Sequence, residues 1–248
     1  MRYLCIACDV LARPVYLSAS LSPHIVDISL ERFGWHIHPK QLRQILQAHI
    51  DSLEVDSPYD ALLLAYGLCG KATEGLRAGS IPLVIPRAHD CITLFLGGRD
   101  RYNQEFLSCP GTYWYVQDFV ERGETEEIPL SIGAYTSAAA DASYSEFVEK
   151  YGADNANYLM EVMSAWQAHY ERAVYIDLGL SAQNSAFARA QSDAKNHGWR
   201  FEQVTGDMVL IQSLLSGEWD EQNFLVLQPG QQIEMVGGDE VIGLRANK

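Results

Sequence analysis

Basic residues are scarce in this chain. Against 32 aspartates and glutamates stand 18 lysines and arginines, a formal charge of −14, and no Lys/Arg run makes a local exception. That balance repels a phosphate backbone, so nucleic acid is excluded as a partner. Most of the acidity serves simple solubility. Long hydrophobic runs are missing too: none reaches the roughly 18–20 residues of a membrane helix. The start, MRYLCIACDV, lacks the basic residues, long apolar stretch and small-residue cleavage site of a secretory leader. The expectation is a cytoplasmic protein with no membrane partner.

Cysteine is sparse as well. Five thiols, an odd number at irregular spacing, make a poor disulfide framework, and in a reducing compartment they stay free. Four common signatures are absent: GxGxxG after the first strand, GxxxxGK[ST], GxSxG and HExxH. Dinucleotide binding, P-loop phosphate binding, serine hydrolysis and zinc proteolysis therefore lose their usual sequence support.

What is present is a chain of 248 residues, 48% apolar, long enough to bury a substantial core without a metal staple. Residues 3–8 form a short apolar run, and 26–30 reads as a second strand or a loop beside it. Pro39 suits the first turn of a helix that carries Leu42, Ile45, Leu46 and Ile50 on one face up to Leu53. Residues 60–66 and 81–85 read as buried strands, the first ending in Gly67-Leu68-Cys69-Gly70. Asp90 is placed to cap a helix from Cys91. A helix over 100–107 and an aromatic strand over 112–116 follow.

Residues 121–145 read as a connection, and a long helix spans 145–172. Strands at 173–178, 200–204 and 223–227 alternate with helices at 185–196 and 208–215. The fold class is α/β: two Rossmann-like βαβ halves with largely parallel sheets, joined by the long helix. The halves are 1–120, carrying the site, and 121–248, including that helix.

Three cysteines fall where a buried strand runs into a loop: Cys8, Cys69 and Cys91, with His89 beside the last. Strand carboxyl ends of an open parallel sheet line the ligand crevice, so these side chains can converge on one point. Each thiol alone reads as a core residue; their joint placement favours a metal centre of Cys8, Cys69, Cys91 and His89. Gly67 and Gly70 allow a turn that exposes the Cys69 sulfur. Cys5 and Cys8, three apart in a strand, lie on opposite faces, and Cys8 is nearer the mouth. Cys109, beside Pro110, is incidental.

Around the thiols stand Arg87, Asp90, Arg99 and Tyr102. His89, Arg87 and Asp90 are the candidates for catalysis, with Arg87 and the helix start at Cys91 favouring a thiolate or a substrate anion. An Arg87 ion pair of purely structural purpose is an equal reading. His36 and His38 have a weaker claim.

Tyr66-Gly67-Leu68-Cys69-Gly70, Pro86-Arg87-Ala88-His89-Asp90-Cys91 and Pro110-Gly111-Thr112-Tyr113 resemble the motifs of a bacterial and archaeal domain-of-unknown-function family. The resemblance runs nearly end to end, through Gly198-Trp199 and Gly206-Asp207. By it Cys8, Cys69, His89 and Cys91 fall on signature positions. It also implies a neighbourhood of corrinoid-dependent methyltransferases, hence one-carbon metabolism and a corrinoid protein as partner.

The leading expectation is a metal-dependent enzyme acting on a small molecule, transferring a methyl or other one-carbon group, with a centre held by the three cysteines, His89 as fourth ligand or proton donor, and the choice between zinc and an iron–sulfur cluster left open. An iron–sulfur cluster with an open iron is the second. A non-catalytic accessory protein for a corrinoid or a metal is the third. A metal-free thiol nucleophile at Cys91, assisted by His89, is the fourth.

Overall fold

The computed structural model of the chain describes residues 1–126 and 170–245, together with Val148. Of the helix expected over 145–172 only Val148, which is helical, and residues 170–172 are described, and Arg172 already opens a strand. The chain is mixed α/β with a largely parallel central sheet. It divides into two compact units, Met1–Asn103 with Gly206–Lys248, and Gln104–Thr205. Residue 120, where the sequence places a boundary, falls inside a helix of the second unit.

The first unit is built on five strands: β1 (Arg2–Cys8), β2 (Ile25–Glu31), β3 (Ala61–Ala65), β4 (Leu83–Pro86) and β8 (Phe224–Leu227). Their order is β2-β1-β3-β4-β8. The first four run parallel, while β8 pairs antiparallel to β4. β3 is wholly apolar, Ala61-Leu62-Leu63-Leu64-Ala65, and every residue is buried, as a central parallel strand covered on both faces requires. The C-terminal segment thus returns to the first sheet. Two short strands, β9 (Ile233–Met235) and β10 (Ile242–Leu244), pair antiparallel beyond it.

β1 leads through α1 (Ala12–Leu21) to β2 on one side, and β2 leads through α2 (Pro39–Asp51) to β3 on the other. Right-handed crossovers in opposite directions put α1 and α2 on opposite faces of the sheet. The strand order therefore reverses between β1 and β3, and a crevice opens there at the strand carboxyl ends. α2 has the expected stripe: Leu42, Leu46 and Ile50 are buried at i, i+4 and i+8, each contributing about 2 kcal/mol by leaving water. α1 has no counterpart in the sequence reading because Pro14 interrupts it. Yet Pro14 sits in the first turn, where its missing N–H has no intrahelical partner. α7 (Val209–Ser216) packs on α1 and on β3 and β4.

Two short helices follow β4: α3 (Cys91–Phe95) and α4 (Arg99–Ser108), the latter running across the division between the units. The second unit has its own parallel sheet in the order β5 (Thr112–Tyr115), β6 (Arg172–Asp177), β7 (Arg200–Thr205). It also has α5 (Gln117–Glu126), unassigned from sequence, and α6 (Ser185–His197), ended by Gly198 in the left-handed conformation. α6 buries Ala186, Ala190 and Ala194, small residues that let it lie close on Tyr113, Tyr115 and Tyr175. The buried Arg172 is satisfied by Thr112, Glu105 and Glu202.

Candidate functional site

Cys8 closes β1, Cys69 follows β3 by four residues, and Cys91 opens α3 after β4. A hydrogen-bonded zip draws the last two together. Beyond the strands, Leu68 N–H donates to the Ala88 carbonyl at 2.8 Å and Cys69 N–H to the His89 carbonyl at 2.9 Å. Gly67 makes this approach possible: a Cβ there would lie 2.7 to 2.9 Å from the backbone N and Cα of Asp90 and the Ala88 oxygen. Those backbone atoms have nowhere to go, so only glycine fits.

After the zip the chain turns sharply. Cys69, Gly70 and Lys71 are all left-handed, with φ of 46°, 64° and 73°. Two of these are not glycine, at a cost on the order of 1 kcal/mol each. The turn is pinned by Ala72 N–H to the Cys69 carbonyl, Thr73 Oγ1 to the Gly67 carbonyl, and Arg43 to the carbonyls of Lys71 and Ala72. It does not expose the sulfur, as the sequence reading had it. Cys69 is 4% exposed, because the turn folds under rather than out.

The three thiols lie within one another's electrostatic range. The Cys91 thiol feels both Cys69 and Cys8, and the Tyr66 hydroxyl feels Cys8 and Cys69. All three are buried. Burial, reinforced by the Asp90 charge, pushes the Cys69 thiol up to about 12 and the Cys91 thiol well above its ordinary value. Both are neutral thiols at neutral pH. That outcome opposes the expected thiolate at Cys91: α3 has only five residues, and Arg87 is engaged elsewhere.

The imidazole found against a site sulfur is that of His36, whose Nε2 lies 3.3 Å from the Cys8 Sγ. Burial lowers His36 to about 4, so the ring is neutral and its nitrogen lone pair is available. The His36 ring also stacks over Tyr66, 6.2 Å between centroids and 17° apart. The Tyr66 hydroxyl is buried with no hydrogen-bond partner among the described residues. Burial pushes Tyr66 well above its ordinary value, so it stays a donor. A hydroxyl left unpaired in the interior costs about 1–3 kcal/mol, which makes Tyr66 an anomaly that a bound group would resolve.

The other expected residues have separate partners. The His89 ring stacks on Tyr102 at 5.5 Å. Asp90 caps α3 as expected, its Oδ1 accepting from Ile92 N–H and Thr93 N–H; its Oδ2 takes Tyr102 Oη at 3.5 Å. Burial raises the Asp90 carboxyl. Arg87 donates to the carbonyls of Glu221 and Ile242 and pairs with Glu240, tying down the C-terminal segment. Arg99 donates to the Gln222 carbonyl. Cys5, despite the Cys-x-x-Cys spacing with Cys8, hydrogen-bonds the backbone of Ala65, and burial pushes its thiol up to about 12. Cys109 belongs to the second unit.

Three thiols and a neutral imidazole suit a soft ion in kind. They do not suit it in placement: among the described residues no three His, Cys, Asp or Glu side chains are set to hold a metal ion. The thiols are gathered but not closed into a coordination shell. No helix among the described residues is long and apolar enough to cross a membrane.

A family model described as Protein of unknown function (DUF1638) matches residues 31–215, a stretch that includes His36, Tyr66, Cys69, His89 and Cys91 but not Cys8. No curated protein and no solved structure matches the chain.

Proposed function

We propose, for a chain that belongs to the DUF1638 family, that the crevice between β1 and β3 is the reaction centre of a small-molecule enzyme that works with a soft metal. Cys8, Cys69 and Cys91 would hold the ion through sulfur, and His36 rather than His89 would supply the nitrogen. The observation that carries this reading is the shared burial of three thiols from three strand ends beside a tyrosine hydroxyl with no partner. The backbone zip supports it by setting Cys69 alongside the 88–89 segment that leads into Cys91.

A bound zinc or an open cluster iron supplies Lewis acidity toward a substrate thiol or water, the chemistry that methyl or other one-carbon transfer calls upon. The protein contributes the rest. The buried setting keeps water from the reacting atoms, His36 stays neutral near Cys8, and Tyr66 donates a hydrogen bond to the bound molecule. A second reading is a non-catalytic accessory protein that delivers a metal or binds a corrinoid protein, supported by thiols that are gathered without a closed shell among the described residues. Fast loss of the ion to a chelator, within seconds, marks the carrier; loss over hours marks a resident cofactor.

The test is zinc, iron and acid-labile sulfide content of anaerobically purified protein, compared across Cys69→Ala, His36→Ala and His89→Ala. Cys69→Ala should lose the metal, His36→Ala should bind it at least tenfold more weakly, and His89→Ala should retain it. Brown colour with labile sulfide identifies a cluster, and a colourless metal-loaded protein identifies zinc. Full metal content in Cys69→Ala overturns the reading.

A further inference from the structure

The loops that carry His36 and Cys69 inward carry basic residues to the surface. A cavity of about 600 Å³ in the first unit has His38, Lys40, Arg43, Gly70, Lys71 and Glu74 on its wall. That volume is the size of a small-molecule site. Its charge runs against the rest of the molecule. The whole chain has 18 lysines and arginines for 32 acidic side chains, yet here two lysines and an arginine face a single glutamate. Lys40 and Lys71 are exposed, and neither has an ion-pair partner among the described residues. Arg43 is held in place by the Lys71 and Ala72 carbonyls, so its charge is fixed at the rim.

Two residues of the cavity wall neighbour site residues in the chain. Two peptide units separate Cys69 from Lys71 and His36 from His38, so each pair of Cα atoms is at most about 7.6 Å apart. The left-handed turn that buries Cys69 brings Lys71 to the cavity wall. Its backbone cost has a counterpart in what the turn achieves: a sulfur in the crevice and an ammonium two residues away.

We infer that this cavity binds the oxyanion end, a carboxylate or a phosphate, of the small molecule whose other end reaches the Cys69 and His36 crevice. Lys71 and Lys40 pair with the oxyanion, and Arg43 adds a fixed guanidinium charge. The substrate class is then a short, anionic small molecule, in keeping with a protein whose surface otherwise repels anions. The inference rests on the proposed function only for the reacting end of that molecule, since anion binding needs no metal.

The experiment is isothermal titration of the purified protein with inorganic phosphate and, separately, with acetate, in chloride of matched ionic strength. Saturable binding of one probe names the source of the oxyanion: phosphate for a phosphorylated ligand, acetate for a carboxylate. Lys71→Gly removes the ammonium while relieving a left-handed residue, so it cannot weaken binding through misfolding. Lys71→Gly and Lys40→Glu should each weaken the binding at least tenfold, and Lys195→Glu, an exposed lysine of the second unit, should leave it unchanged. Binding of equal strength in Lys71→Gly and Lys40→Glu, or no saturable binding of either probe, overturns the inference. Metal content of Lys71→Gly should match the parent. Absence of bound metal in the parent protein, with its anion binding present, sinks the metal reading and leaves this one standing.

Discussion

The two parallel sheets finish in different ways. At the carboxyl ends of β5 and β6 the polar groups are spent on one another. Gln117 gives its Nε2 to Glu121 and Ser185 and takes the Ala186 N–H on its Oε1. Asp177 accepts from Gly179 N–H and Gln203 Nε2, and the Tyr115 hydroxyl donates to Asp193 at 2.9 Å. At the carboxyl ends of β1 and β3 the Tyr66 hydroxyl has no partner among the described residues, three thiols are buried together, and two residues that are not glycine sit left-handed. Similar sheet geometry supports both ends, so the fold does not account for the contrast. Satisfied groups hold the second unit together; unspent groups and strain set apart the crevice of the first unit, where the proposed function would put a ligand.

Paired glycine substitutions give the largest expected effect. Gly67→Ala forces a Cβ to within 2.7–2.9 Å of backbone atoms in the 88–90 segment, which cannot move without breaking the zip. The expected cost is about 3 kcal/mol in urea denaturation, with loss of metal binding. Gly179→Ala in the second unit meets nothing within 4 Å and carries only the strain of its φ of +66°. It should cost about 1 kcal/mol and leave metal content unchanged. Equal costs for the two would break the comparison, since the first unit would then be no more tightly specified at its crevice than a surface turn.

Parts of this site are legible in the residues alone, for local reasons. An apolar run ending in a cysteine places Cys8 and Cys69 at strand ends, and Asp90 before an apolar run reads as the cap it is. α2 declares itself through Leu42, Leu46 and Ile50. What escapes the sequence is pairing between distant segments. Nothing near residue 224 says that β8 joins the first sheet in reverse, nor does residue 36 announce that its ring meets Cys8. His89 looks the better donor because it neighbours Cys91 in the chain, but neighbours at i and i+2 in a loop need not converge, and its ring stacks on Tyr102 instead. Arg87 has the carboxylate pair that stood as its equal reading, Glu240, but that pair and its carbonyl partners lie more than 130 residues away, beyond what the sequence near residue 87 can signal. The missing partner of Tyr66 has no sequence signal at all, because it is a property of what surrounds the residue.

The smaller effect is the sharper one, because it predicts opposite signs for one chemical change. Tyr115→Phe removes a hydroxyl that donates to Asp193, leaves that carboxylate with the Arg189 Nε among the described residues, and should destabilise the protein by about 1 kcal/mol. Tyr66→Phe removes a buried hydroxyl that donates to nothing among the described residues, keeps the ring stacked on His36, and should stabilise the ligand-free protein by about 1 kcal/mol. Thermal denaturation of both variants beside the parent reads the two signs directly. If Tyr66→Phe also destabilises, its hydroxyl is already satisfied in the resting protein, and the strongest sign of an awaited ligand at the β1/β3 crevice is gone.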